Sequence, residues 1–141
     1  MDTIDKNTAF ELSHAFPVTQ ATLFNAFIDA ATLKDIWGVA SITVDARPNG
    51  QARARLTIDN ENWDFAITYQ EVIPPDKLRW FVHFDRFPSK EPRATLSFRA
   101  TAGGSEVTVR MENFETSQER DGNRQAWQGA LTRLDAIVTR Q

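Results

Sequence analysis

Residues 54–84 run ARLTIDNENWDFAITYQEVIPPDKLRWFVHF, and the alternation of apolar residues around two turns in this stretch decides how the chain folds. Asn60-Glu61 and Pro74-Pro75-Asp76-Lys77 are the turn signals. Closing the first sets Ile58 against Trp63, Leu56 against Phe65 and Ala54 against Ile67. Closing the second sets Ile73 against Leu78, Glu71 against Trp80, Tyr69 against Val82 and Ile67 against Phe84. Apolar side chains of three consecutive strands therefore share one face, and Arg53, Arg55 and Thr57 take the other. Gly103-Gly104 repeats the device downstream, pairing Ala100 with Val107, Phe98 with Val109 and Leu96 with Met111, while Arg99, Thr108, Arg110 and Glu112 look outward. An antiparallel sheet with one apolar face needs a cover.

The cover lies at the C-terminus, where Trp127, Ala130, Leu131, Leu134, Ile137 and Val138 recur at helical spacing within Gln118 to Arg140. Thr116-Ser117-Gln118-Glu119 has the capping-box form that starts a helix, and Gly122 predicts a bend or a separate first turn. Upstream, Phe10, Leu12, His14, Phe16 and Val18 alternate as one face of a first strand. Thr19 then caps a helix carrying Leu23, Phe24, Phe27 and Ile28, and a second short helix carries Leu33, Ile36 and Trp37 up to Gly38. The order is one strand, two short helices, a meander of strands from Ser41 onward and one long helix.

With 141 residues, 41% hydrophobic and 25% charged, the chain has the length of one domain. Cysteine is absent, which excludes disulfides, thiolate metal sites and a cysteine nucleophile. Sixteen basic against nineteen acidic residues give a net charge of −3, so the whole chain carries no electrostatic footprint for nucleic acid. The acidic, polar start Met1 to Asn7 lacks the pattern of a signal peptide, and no apolar run reaches the roughly 20 residues needed to cross a bilayer, so a cytoplasmic protein without integral membrane association is expected. No His-x-x-x-His spacing, Gly-x-Gly-x-x-Gly fingerprint or phosphate-binding Gly-Lys-Ser/Thr occurs. Neither metal nor other cofactor is expected. Exposed edge strands leave a homodimer open.

Four segments in this order carry a family resemblance: Leu23-Phe24 followed by Asp29 to Gly38, Arg47-Pro48-Asn49-Gly50, Glu71 to Leu78, and Trp127 with Leu131 and Leu134. The chain resembles the START-like, or SRPBCC, superfamily of helix-grip folds, in the branch named after the activator of Hsp90 ATPase homologue. It departs from the branch's patterns at Ile36, which replaces an aromatic residue, at Asn49, which replaces a glycine, and in the spacing of Gly122-Asn123 from Trp127. The resemblance implies an α+β helix-grip: a curved antiparallel sheet of 6–7 strands, two short helices after strand 1, and a long C-terminal helix on the concave face. Residues 1–141 would form one such domain, with 1–8 as a flexible extension.

Relatives of this kind hold an apolar cavity between helix and sheet, in which many bind lipids, sterols or polyketides. Here the cavity wall would comprise Trp63, Phe65, Tyr69, Trp80, Val82, Phe98, Val109 and Met111 from the sheet, Trp127 and Leu131 from the helix, and Trp37 near the mouth. The same residues also suit a filled core. Two polar side chains are the catalytic candidates. Glu71, in register with Trp80, would be a desolvated acid on an apolar wall unless the strand bulges near Pro74 and turns it to solvent; His14 shares its face with Phe10, Leu12 and Phe16. His83 belongs to the outward set. Three readings follow: a binder of a small apolar molecule, a cyclase or dehydratase using Glu71 with His14, and an interaction module like the branch's co-chaperone relative.

Overall fold

A two-residue alternation maintained across seven strands generates the architecture. The computed structural model describes residues 9–85 and 91–139; the extension at 1–8 lies outside them. The chain runs β1 (Phe10–Phe16), α1 (Gln20–Ala26), α2 (Ala30–Trp37), β2 (Ser41–Val44), β3 (Gln51–Ile58), β4 (Glu61–Ile73), β5 (Lys77–Phe84), β6 (Arg93–Thr101), β7 (Gly104–Glu112) and α3 (Ser117–Val138). The strands form one sheet in the order β1-β7-β6-β5-β4-β3-β2, antiparallel throughout. This is the expected α+β helix-grip, with the helices gathered on the concave face.

Three registers differ from the reading of the sequence, and two of them leave the faces unchanged. Asp59 and Asn60 form the first hairpin turn, both at positive φ (52° and 66°), so Ile58 pairs with Glu61, Leu56 with Trp63 and Ala54 with Phe65. A two-residue turn of this type needs positive φ at both central positions, which Asp and Asn tolerate and Glu61 does not. The last hairpin likewise turns one residue earlier, pairing Phe98 with Val107 and Leu96 with Val109. Gly104 is already a strand residue there, because it passes too close to the backbone of Phe16, Pro17 and Val18 to carry a side chain. Both shifts amount to two residues, which leaves every side chain on its face.

The third difference changes a face. Pairing at the β4–β5 hairpin starts from Ile73 and Lys77 and slips at Gln70, so that Glu71 faces Arg79 while Tyr69 faces Trp80. Gln70 is the extra residue of a β-bulge. Beyond it Val72 turns inward opposite Leu78, and Glu71 turns to the outer face, where its Oε2 lies 3.3 Å from Lys77 Nζ and 3.7 Å from Arg79 Nη1. The bulge reading therefore replaces the in-register one.

The helices start and stop by local chemistry. Thr19 Oγ1 accepts from Thr22 N–H, and Asp29 Oδ2 accepts from the N–H and hydroxyl of Thr32, which holds the Asp29 carboxyl below its ordinary pKa. Gly38 ends α2 in the left-handed region (φ 67°). At the head of α3, Thr116 Oγ1 accepts from Glu119 N–H, and Glu119 Oε1 accepts from Glu115 N–H. The helix then runs unbroken through Gly122, against the expected bend, because Trp127, Ala130, Leu131, Leu134 and Val138 bury one continuous stripe against the sheet. Twenty-two residues span about 33 Å. Asn49 takes positive φ (69°), so asparagine fills the place of the family's glycine without altering the turn.

Gly104→Ala is expected to cost about 2 kcal/mol or more, since its Cβ would meet backbone rather than a movable side chain. Thr116→Ala, which removes only a cap, should cost about 1 kcal/mol. Urea unfolding midpoints measure both, and the first must exceed the second.

Candidate functional site

The N-terminal two-thirds of α3 does not close fully on the sheet. Along that helix Asn123, Ala126, Trp127, Ala130 and Arg133 fall on one side, at spacings of three and four. They face Leu56 of β3, Phe65 and Ile67 of β4, Trp80, Val82 and Phe84 of β5 and Met111 of β7, with Trp37 and Val39 at the α2 end. The inner compartment, bounded by these residues and open to solvent on one side, measures about 180 Å³. An outer compartment of about 320 Å³ lies between Leu56, Ile58, Trp63, Phe84 and Pro92 on the sheet side and Asn113 to Glu115, Glu119 and Asn123 on the other. Leu56, Phe84 and Asn123 line both, so the two adjoin, and together they are the cleft.

Three tryptophans hold the inner end. Trp80 and Trp127 stack with ring centroids 6.4 Å apart, and Trp37 meets both edge-on at 6.2 and 6.5 Å. Phe27 supports Trp127 from behind at 6.3 Å, and Phe65 bridges Trp37 and Phe84. Offset and edge-to-face contacts of this kind hold the rings in fixed orientations along the wall.

Of the residues assigned to the wall from sequence, the structure brings Trp37, Trp63, Phe65, Trp80, Val82, Met111 and Trp127 to the cleft. Tyr69, Phe98, Val109 and Leu131 lie in the packed core instead: Phe98 is taken up by Phe24 and Phe27, and Tyr69 sits edge-on to Trp80 with no exposed surface. For Tyr69, Phe98 and Val109 this follows from the two-residue register differences, which move each of them relative to its neighbour on the next strand; Leu131 lies on α3, where it is buried in the stripe with Leu134 and Val138. Sequence reasoning missed Asn123, Ala126 and Arg133. The helical spacing that selects Trp127 and Ala130 selects them too, but polar and small residues carry no apolar signal.

Neither catalytic candidate reaches the cleft. Glu71 is on the outer face with Lys77 and Arg79. His14 lies where β1 meets the end of α3; its Nε2 is 2.8 Å from Asp135 Oδ2 and its ring packs on Phe16 at 4.6 Å. That arrangement ties the first strand to the last helix. His83 is also on the outer face, 3.4 Å from Glu91. Arg55 pairs with Asp64 and Arg99 with Glu106 on the same face, so these arginines belong to a solvated charge pattern. Among the described residues no group of three or more acidic or histidine side chains converges as a metal site would require, and no helix is long and apolar enough to cross a membrane.

A family model described as Activator of Hsp90 ATPase homolog 1-like protein matches residues 17–139. No curated protein matches the chain. Among solved structures it is similar to a protein from Chromobacterium violaceum, at a TM-score of 0.84 and 18% identity over 93% of this chain and 97% of that one. A protein from Nitrosomonas europaea gives 0.79 and 17% over 99% of both chains, and one from Rhodobacter sphaeroides gives 0.79 and 19% over 95% and 94%. At these identities the likeness is one of fold.

Tyr69 offers a test of how dry the sheet side is. Its hydroxyl is buried without a hydrogen-bond partner among the described residues, and burial, helped by the charge of Asp45, pushes its pKa up to about 12. An unfolded tyrosine ionises near pH 10, so between about pH 10 and 12 the unfolded state loses a proton that the folded state retains. Stability should therefore fall through that range by about 1.4 kcal/mol per pH unit on account of this group alone. Tyr69→Phe should remove that part of the pH dependence and equal or slightly exceed the wild type at pH 8. Denaturant unfolding of both proteins at pH 8 and pH 11.5 separates the contribution from other titrations, which are common to the two.

Proposed function

The chain belongs to the family described as Activator of Hsp90 ATPase homolog 1-like protein, and from that premise we propose that it binds a small hydrophobic molecule in the cleft between α3 and the sheet. The observation that carries this reading is the space left beside Trp37, Trp80 and Trp127: apolar, walled by rings, and adjoining a second compartment. Ligand pockets of this type have volumes of roughly 300–1,000 Å³, and the outer compartment of about 320 Å³ with the inner one of about 180 Å³ falls in that class. Removing apolar ligand surface from water contributes about 25 cal/mol per Å², and the wall has few polar groups to be left unpaired.

A binder is favoured over a cyclase or dehydratase that uses Glu71 with His14 by where those two groups lie. General acid–base chemistry requires a group within hydrogen-bond reach of the substrate. Glu71 and His14 are engaged elsewhere, by Lys77 and Arg79 and by Asp135. The co-chaperone reading has only the family's name behind it.

Native mass spectrometry of freshly purified protein, followed by denaturing extraction, should reveal a retained small molecule. Ala126 is exposed on α3 yet lines the inner compartment, so Ala126→Trp should fill the cleft at little cost to folding. That variant is expected to weaken binding of the neutral fluorophore N-phenyl-1-naphthylamine by about tenfold or more, a loss of roughly 1.4 kcal/mol. Glu71→Gln should leave it unchanged. Equal binding by wild type and Ala126→Trp would place the probe outside the cleft and end this reading.

A further inference from the structure

We infer that the ligand carries an anionic group, a carboxylate on an apolar body, and that Arg133 is its anchor; this rests on the binding reading above. Arg133 lines the inner compartment among Trp37, Val39 and Ala130. Its Nε donates to the Ile36 carbonyl oxygen at 2.9 Å, and Nη2 donates to the same oxygen. A long cationic side chain, exposed to solvent on its outer side, is thus fixed across the end of α2, and its remaining guanidinium N–H groups meet no acceptor among the described residues. Among those residues no carboxylate lies within ion-pair distance of it; Arg53, Arg93 and Arg124 likewise have none, but of these four only Arg133 lines the cleft.

A guanidinium already held in place loses little freedom on meeting a carboxylate, and charge-assisted hydrogen bonds at the edge of an apolar space are stronger than neutral ones. The other end of the cleft has the opposite sign. Glu115 and Glu119 line the outer compartment, which disfavours an anion there and orients the molecule with its charge toward α2. From Asn123, where the compartments join, to Arg133 is ten residues of helix, about 15 Å. The shape and charge fit an amphiphilic acid lying along α3, its apolar part over Trp80 and Trp127 and reaching toward Trp63.

Dodecanoate, dodecan-1-ol and dodecylamine, each below its micellar concentration, can be titrated against tryptophan fluorescence, since Trp37, Trp80 and Trp127 border the space. In the wild type dodecanoate should bind about tenfold or more tightly than the alcohol, and the amine most weakly. Arg133→Gln should abolish the difference between acid and alcohol while leaving alcohol binding in place, and Arg133→Lys should keep part of it. Equal affinity for acid and alcohol in the wild type would show Arg133 to be only a clamp on α2: the inference falls and the binding reading stands. A preference for the acid that survives in Arg133→Gln places the anchor elsewhere and overturns the inference. If no member of the series binds, the binding reading falls first and this one with it. The wild-type comparison decides even if loss of the Ile36 contact prevents a variant from folding.

Discussion

An apolar face shared by seven strands must be kept from water, and a single helix does most of that work. Everything else in the molecule is arranged around the contact between α3 and the sheet. The stripe Trp127, Ala130, Leu131, Leu134 and Val138 supplies the helix side, and burial there outweighs the loss of intrinsic helicity at Gly122. The two short helices complete the cover. Leu23 and Phe24 from the first, with Phe27 at its end, are buried beside β6 and β7, and Leu33 and Ile36 from the second are buried where it meets α3 and β2.

The contact tightens toward the C-terminal end of α3 and loosens toward its start. At the tight end Asp135 meets His14 of β1, and Arg133 reaches the Ile36 carbonyl near the end of α2. At the loose end Asn113 to Glu119 arch over Leu56, Trp63 and Phe84 rather than packing on them. The cleft is the wedge between these ends, and three indoles meeting edge-on and in an offset stack form its floor.

Sequence periodicity was sufficient for the order of elements, the covering helix and the apolar face of each strand except the end of β4 beyond Gln70, because side-chain parity survives a register error of two but not a bulge. Turn chemistry decided the registers. Asp59-Asn60 and the tight passage of Gly104 past β1 depend on backbone conformation and on a neighbour far away in sequence, which alternation alone does not report. The cleft was legible where it is aromatic and illegible where it is not. Trp37, Trp80 and Trp127 stand out in any reading, whereas Ala126 and Arg133 resemble ordinary surface residues of a helix until the sheet opposite them is in view. Tyr69 and Phe98 show the converse: large rings on the inner face that a two-residue displacement moves from cleft to core.

The bulge at Gln70 has a consequence for how the protein's chemistry is encoded. Upstream of it the odd-numbered residues of β4 point inward; downstream the even-numbered ones do, so Val72 enters the core and Glu71 leaves it. Were Gln70 to take a regular place in the ladder instead of bulging, Glu71 would share the apolar face with Tyr69 rather than standing among Lys77 and Arg79 in water. Whether the inner wall of this sheet carries a carboxylate is thus a matter of how one hairpin is registered and not of which residues the strand contains, so a change of turn there can alter the wall's chemistry more than most substitutions.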